Sequence, residues 1–422
     1  MKRIIALLLA LCFIGPVPVH SAEAVYIKTE AELVALSSRV AQGDSMKGKV
    51  VCLTADISLT APFIPIGSAD APFCGSFDGG GHTVRGLRVE RAEGYNGLFG
   101  CIVGGGVKDL NVENAYIKGG DYSAVIAGRL YSYEGYSAIS SCTVSGTVEG
   151  VCYVGGIVGL VLSAAHGIYS ESVVADCIFD GAVNGDIYVG SISGKADAIS
   201  TASRAESRIE GCVSYGTVRA DGKYGTMVGG ICGAVGAKSS GGSSIACVRE
   251  CVSYSSSSAD KAAAGGVCGA VGADGYGANA NVFKSVALGS TKAAALAGGV
   301  AGQSQSLNQG TVSVTESVAG GNIIGADIYP IASGEGVSGC FTPADKIVYP
   351  VEAEVPTYKK GDVGGDGAVD NADAALVLKH DAGLALMGVT ARKSADVNGD
   401  GFIDNLDSVL ILKYDAGIIE GI

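Results

Sequence analysis

The chain has 422 residues, 66 of them glycine and none tryptophan, and a formal net charge of −13. With 29 Lys and Arg against 42 Asp and Glu and no basic patch, it has nothing with which to release phosphate counterions, which argues against a nucleic-acid partner. Residues 361–422 hold eleven Asp or Glu against four Lys or Arg, so about half of the imbalance sits in the last seventh of the chain.

In chain order, Met1-Lys-Arg, the apolar run Ile4–Ile14 and Ala22-Glu-Ala24 predict a secretory signal over residues 1–24, and with it an extracellular location. The apolar run is too short for a membrane span. Cys12 lies inside that run after Leu11, where a lipid attachment site would want a small residue. Thr29 and Glu32 form a capping-box pattern, which predicts a short helix able to cover the open end of a coil.

Residues 25–340 repeat a short apolar motif closed by glycine: Gly97-Leu-Phe-Gly100, Ala124-Val-Ile-Ala-Gly128, Gly155-Gly-Ile-Val-Gly159, Gly190-Ser-Ile-Ser-Gly194, Gly229-Gly-Ile-Cys-Gly233, Gly265-Gly-Val-Cys-Gly269 and Gly298-Gly-Val-Ala-Gly302. The final glycines are 28, 31, 35, 39, 36 and 33 residues apart, the period of a stacked array. A second motif begins at Cys142, Cys177, Cys212, Cys251, Ser285 and Ser317. With a period of two, Cys142, Val144, Gly146 and Val148 share one face, as do Cys177, Phe179, Gly181 and Val183. Such strands predict a mainly β fold, a parallel β-helix, with Cys stacked over Cys in an inward ladder. The ladder thiols read as small buried hydrophobes in preference to disulfides, although rungs about 4.8 Å apart keep bonding open. Ala237–Ser244 and Asp274–Asn281 read as the loops of variable length.

Thr29-Glu-Ala-Glu-Leu33, Val51-Cys-Leu-Thr-Ala-Asp-Ile57, Pro65-Ile-Gly67, Gly75-Ser-Phe-Asp-Gly-Gly-Gly-His-Thr-Val-Arg-Gly-Leu87 and Gly97-Leu-Phe-Gly100 resemble the opening of secreted GLUG-motif repeat proteins. The resemblance implies a right-handed β-helix and fixes no activity. No His-Glu-x-x-His, no Gly-x-Ser-x-Gly and no zinc spacing occurs. The positions before and three after each ladder residue place no two carboxylates on adjacent rungs. Tyr215 and Tyr254, at the second of those positions, are candidates for stacking on a sugar. An outer-face cluster of acidic and basic residues on neighbouring rungs would favour catalysis; an exposed aromatic stripe alone would favour binding.

Pro343, Pro350 and Pro356 mark residues 341–360 as an extended linker. Beyond it, in residues 361–420, two near-copies of a calcium loop stand 34 residues apart, Asp362–Asp373 and Asp396–Asp407. A glycine at the sixth position lets each loop wrap a hard cation. The first supplies Asp362, Asp366, Asp370 and Asp373 with the carbonyl of Ala368; Gly364 leaves its third position without a ligand, which predicts weaker binding. The second supplies Asp396, Asn398, Asp400 and Asp407, the carbonyl of Phe402, and Asp404 through water. The helix-like segments Ala374–Leu384 and Ser408–Ile418 follow, with Gly383 and Gly417 as stops. Loops without a long entering helix, ending in Asp, resemble a dockerin domain.

That resemblance implies two bound Ca²⁺, a cohesin domain as partner, and Asn371, Ala372, Lys379, Asn405, Leu406 and Lys413 as selecting residues. The near-identity of the two halves allows two binding orientations related by a half-turn. The reading is therefore a secreted component of a cellulosome-like complex, whose β-helix binds carbohydrate or a surface in polysaccharide breakdown. A polysaccharide hydrolase or lyase and a dockerin-anchored surface adhesin are the alternatives.

Overall fold

The computed structural model describes residues 23–222, 226–260, 263–324, 327–329, 332–334, 336–338, 340, 359–364, 367–381, 394–398, 403, 405–419 and 421. The signal-peptide reading lies outside them, apart from Glu23 and Ala24. Those two residues open the strand Glu23–Ile27, with Glu23 opposite Lys49 and Ala24 opposite Val50, so the first strand begins inside the stretch assigned to the signal. Of the linker, only Lys359 and Lys360 are described.

From Glu23 to Ser338 the chain winds as short strands that pair in parallel with the turn before and the turn after. One turn gives the plan: Val158–Ala165 lies in a first sheet, Ser170–Ala175 in a second, Ile178–Gly185 in a third and Tyr188–Gly190 in a fourth. Ser193–Ser200 then returns to the first sheet, Ser193 opposite Val158. The fold is mainly β, with long parallel sheets consistent with a β-helix.

The glycine-closed motif forms the corner from the fourth sheet to the first. Ile157, Ile192, Ile231, Val267 and Val300 point inward there with 0% exposure, each amide donating to the carbonyl of the next in the series. Burial of each such side chain contributes about 1.5–3 kcal/mol. The closing glycines stack: a Cβ at Gly159, Gly233 or Gly302 would meet the carbonyl oxygen of the closing glycine one turn earlier. A side chain at these positions would force the rungs apart, which is why the repeat ends in glycine.

The second motif forms the corner from the second sheet to the third. Cys142, Cys177, Cys212, Cys251, Ser285 and Ser317 each have 0% exposure and precede in-register strand starts, Thr143 opposite Ile178 and Ile178 opposite Val213. The residue before each one turns the corner in the left-handed region: Ser141, Asp176, Gly211, Glu250, Lys284 and Glu316 all have φ between 46° and 62°. The thiols are free. Those of Cys142, Cys177, Cys212 and Cys251 donate to the carbonyl two residues upstream at 3.2–3.3 Å.

Variation in period has another source than Ala237–Ser244 and Asp274–Asn281. Those segments are mostly strand, within Cys232–Ser239, Ser243–Arg249, Cys268–Asp274 and Ala278–Phe283, and only three residues separate each pair. Glycine-rich sequence there reflects tight turns. The added length lies in 166–169 and in 221–226, between Val213–Ala220 and Met227–Gly229, of which 223–225 are not described.

At the N-terminal end, α1 (Glu30–Ala41) begins with the predicted capping box: Thr29 Oγ1 accepts from the Glu32 amide at 3.3 Å, and Glu32 Oε2 from the Thr29 amide at 3.1 Å. Its Leu33, Leu36 and Val40 join the core that holds Ile27, Val51 and Phe77, covering the first rungs.

Candidate functional site

The β-helix carries an acidic pair that the two ladder registers do not contain. On the outer face of the second sheet, Glu171 lies opposite Glu206 on the next rung. The Tyr169 hydroxyl oxygen lies 2.9 Å from Glu171 Oε2 and 3.0 Å from Glu206 Oε2, its single hydrogen shared between the two carboxylates. Arg208 pairs with Glu171, Arg204 with Glu206, and Arg249 with Glu210. With side-chain exposures of 12% and 6%, Glu171 and Glu206 are enclosed by their own partners and closed to a substrate. An ionic lock between rungs accounts for them, and the cluster does not carry the catalytic reading.

Tyrosines gather in two columns. Tyr95, Tyr122, Tyr153 and Tyr188 stack at the approach to the fourth sheet, with centroids 4.6, 4.9 and 5.2 Å apart. Arg129 sits over Tyr95 and Lys195 over Tyr188, so cations meet both end rings and little ring face remains for a ligand. The signal for this column was present in sequence: each tyrosine stands two residues before the first residue of its glycine-closed motif. Tyr215 and Tyr254 stack on the third sheet at 4.9 Å and 6°, and Tyr215 is 39% exposed. Beside Tyr215 a shallow groove of about 500 Å³ runs past Asp180, Ser145 and Thr143 to Asn111 and Thr83. His82, in a turn, approaches Asp56 Oδ1 at 3.4 Å, and its role is local.

At the other end of the chain, α2 (Asn371–Asp381) and α3 (Asn405–Asp415) each begin inside the last turn of a predicted calcium loop, three residues earlier than apolar periodicity alone suggests. The aspartate that ends each loop explains this. Asp373 Oδ2 accepts from the Asp370 amide at 2.9 Å, tying the loop to the helix start, while Asp373 Oδ1 accepts from Gly364 at 2.7 Å. Asp407 Oδ1 accepts from Val397 at 2.9 Å and Asn398 at 3.2 Å. Asp362 Oδ2 accepts from the amide of Gly367, the sixth-position glycine, whose φ of 91° suits the wrapping turn. Gly417, at φ 67°, ends α3 as predicted; Gly383 lies outside the described residues.

The two units share one core: Val363, Val377, Val369 and Leu376 in one, and Val397, Ile411, Ile403 and Leu410 at the same positions 34 residues later. Asp373 is 3% and Asp407 0% exposed. Carboxylates at such depth are costly without a cation, and an all-oxygen donor set suits a hard divalent ion. The residues present therefore fit calcium. Asp362, Ala368, Asp370, Asp373, Asp396, Asn398 and Asp407 are described; Asp366, Asp400, Phe402 and Asp404 lie outside the described residues, and among the described ones no three acidic, His or Cys side chains form a metal-sized group.

Residues 360–414 match the dockerin type I domain. Type I dockerins generally bind calcium, and a dockerin implies a cohesin partner. A stretch of 122 residues is 34% identical to halomucin of Haloquadratum walsbyi; it is 25% of this chain and 1% of halomucin, so the chain spans a small fraction of that relative's length. The fold also aligns with the crystal structure of a candidate immunoglobulin A1 protease from Bacteroides ovatus, at 20% identity and a TM-score of 0.45, over 75% of this chain and 83% of that one. Among the described residues no helix is long and apolar enough to cross a membrane.

The dockerin exposes matching faces on its two helices. On α3, Leu406, Val409 and Leu412 are 57%, 43% and 41% exposed, and Asn405 and Lys413 are exposed beside them. On α2, the equivalent Ala372, Ala375 and Leu378 are exposed, as is Asn371. The side chain of Lys379 lies outside the described residues.

Proposed function

We propose that this chain is an exported component of a cohesin-based extracellular assembly, in which the dockerin is a calcium-dependent plug and the β-helix is carbohydrate-binding cargo. The observation that carries the reading is the paired loop–helix unit with its buried terminal aspartates. Asp362, Asp366, Asp370 and Asp373 with the Ala368 carbonyl would hold one ion. Asp396, Asn398, Asp400, Asp404 and Asp407 with the Phe402 carbonyl would hold the other. Bound calcium would supply the positive charge that lets Asp373 and Asp407 stay ionised in the core. The protein's own part is to fix each loop against its helix through the Asp373 and Asp407 hydrogen bonds, and so to present the helix faces in one relative position.

Asn371, Ala372, Lys379, Asn405, Leu406 and Lys413 are the proposed cohesin-selecting residues. The near-equivalence of α2 and α3 supports binding in two orientations. The uncovered apolar stripe Leu406, Val409 and Leu412 is the kind of surface a partner would bury.

The test is capture of the full chain on resin-coupled type I cohesins. Asp407→Ala, which removes the carboxylate bridging loop and helix, is expected to abolish capture in calcium, while Tyr169→Ala on the β-helix leaves it unchanged. Undiminished capture of Asp407→Ala would refute the proposed role of the second loop.

A further inference from the structure

We propose that the groove on the third sheet binds a neutral oligosaccharide or chain end, laid along the axis of the coil with one sugar ring against Tyr215. The proposal rests on the carbohydrate-binding reading of the β-helix given above, and it adds the site and the ligand class.

The groove has a physical origin in the sheet. Strands of the third sheet change direction at one register, where Gly146 has φ 153° and Gly216 φ 101°, and Gly181 lies between them. A Cβ at Gly181 or Gly216 would strike the carbonyl oxygen of the glycine one rung before. On the next turn the strand is interrupted at the same place, between Val252–Ser253 and Ser256–Ala259. Just before this bend the outward positions Ser145, Asp180 and Tyr215 stand in register on successive rungs.

From Thr83 to Tyr215 the groove crosses five rungs, through the pairs Thr83–Asn111, Asn111–Thr143, Thr143–Ile178 and Asp180–Tyr215. Four steps of about 4.8 Å give roughly 19 Å, the reach of a short oligosaccharide. The strands lie across this path, so an extended ligand follows the coil axis.

The walls suit sugar hydroxyls, which both donate and accept. Thr143 and Ser145 offer hydroxyls, and Asp180 offers an exposed carboxylate that makes no hydrogen bond or ion pair to any described residue. Tyr215 supplies the apolar platform. Because one face of Tyr215 stacks on Tyr254 of the following rung, the other turns back towards the Asp180 rung and closes the end of the groove, where it meets the terminal ring of a chain laid along the coil axis. Charge selects the ligand class. Glu113 and Asp180 line the groove, and the adjacent cation, Arg85, is engaged by Glu113 and Asp56 at 2.9 Å each. Among the described residues that line or adjoin the groove, a uronate or sulfated chain would meet carboxylates and no unpaired cation.

The test is calorimetric titration of the full chain with cello-, xylo- and mannohexaose and with hexagalacturonate. At least one neutral hexaose is expected to bind and hexagalacturonate to give no heat. Tyr215→Ala is expected to weaken the neutral ligand roughly tenfold, the scale of one lost ring contact. Asp180→Ala, a change at an exposed side chain with no bonded partner, is expected to weaken it as well, and Tyr169→Ala to leave it unchanged. Neutral binding that survives both groove substitutions would overturn the site while sparing the carbohydrate reading. Absence of binding to all three neutral ligands, or equal binding of hexagalacturonate, would overturn the ligand class. Cohesin capture of the same samples reports separately on the dockerin.

Discussion

A thiol inside a narrow coil is held by its size and by what its hydrogen can reach. Cys142, Cys177, Cys212 and Cys251 fill a fully buried corner, and each finds the carbonyl two residues upstream. Ser285 and Ser317 occupy the same position and make the same bond, to Phe283 and Thr315, so the corner asks for one small side chain with one polar hydrogen. Burial pushes the thiols of Cys177 and Cys212 well above the ordinary cysteine range; for Cys142 the neighbouring Cys177 thiol acts first and burial second. The thiolate is the reactive form, so these residues should be inert in the folded chain. Treatment of native protein at pH 8 with a thiol-specific alkylating agent, followed by mass mapping, is expected to leave Cys142, Cys177 and Cys212 unmodified until denaturant is added. Rapid native labelling, or a disulfide between neighbouring rungs, would contradict this account. The ladder itself was readable in sequence because its register repeats. The Tyr169–Glu171–Glu206 lock was not, because its glutamates sit on the second sheet and its tyrosine in the joint before it, where no small-residue motif marks the register.

Among the strands and corners, glycine decides where the chain bends and how closely rungs approach. Gly181 stands against the carbonyl of Gly146, whereas the nearest atom to a Cβ at Gly272 is the Gln305 carbonyl oxygen at 3.8 Å. Gly181→Ala should therefore destabilise the coil by about 1–3 kcal/mol, through backbone that has nowhere to go. Gly272→Ala should stay within about 0.5 kcal/mol. Comparing the thermal unfolding of the two variants checks this, and equal melting temperatures would show that rung spacing is not set by the glycine column. The repeat period and the glycine-closed motif revealed the strands, but not which joints carry the extra length. Ser240–Gly242 and Gly275–Gly277 are tight turns in glycine-rich sequence, and the longer joint at 221–226 carries the same kind of mark, Asp221-Gly222 and Gly225, so glycine content does not tell a short joint from a long one. The helix start at Asn371 escaped apolar periodicity because backbone amides donating to loop aspartates, Ala372 to Asp370 and Asp370 to Asp373, and not a hydrophobic face, begin that helix; α3 starts at the equivalent Asn405.

Taken whole, the molecule separates holding from docking. The β-helix has one continuous core running from Ile27 to Ala319, which needs no ligand to close. The dockerin core is far smaller, with Val363, Ala374, Val377, Ala395, Val397 and Ile411 as its buried members, and the carboxylates of Asp373 and Asp407 are buried with it. A domain of that size is expected to draw much of its stability from bound metal. The loops were legible from sequence because calcium chemistry fixes both residue type and spacing. The groove was half legible: Tyr215 and Tyr254 stood out, but the bend that opens it depends on how successive glycines stack. The measurement that bears most directly on the account is a calorimetric titration of the full chain against a panel of type I cohesins, first in calcium and then after chelation. The account predicts saturable binding to at least one cohesin in calcium and none after chelation. Binding that persists unchanged in chelator, or no binding to any cohesin with calcium present, would contradict it.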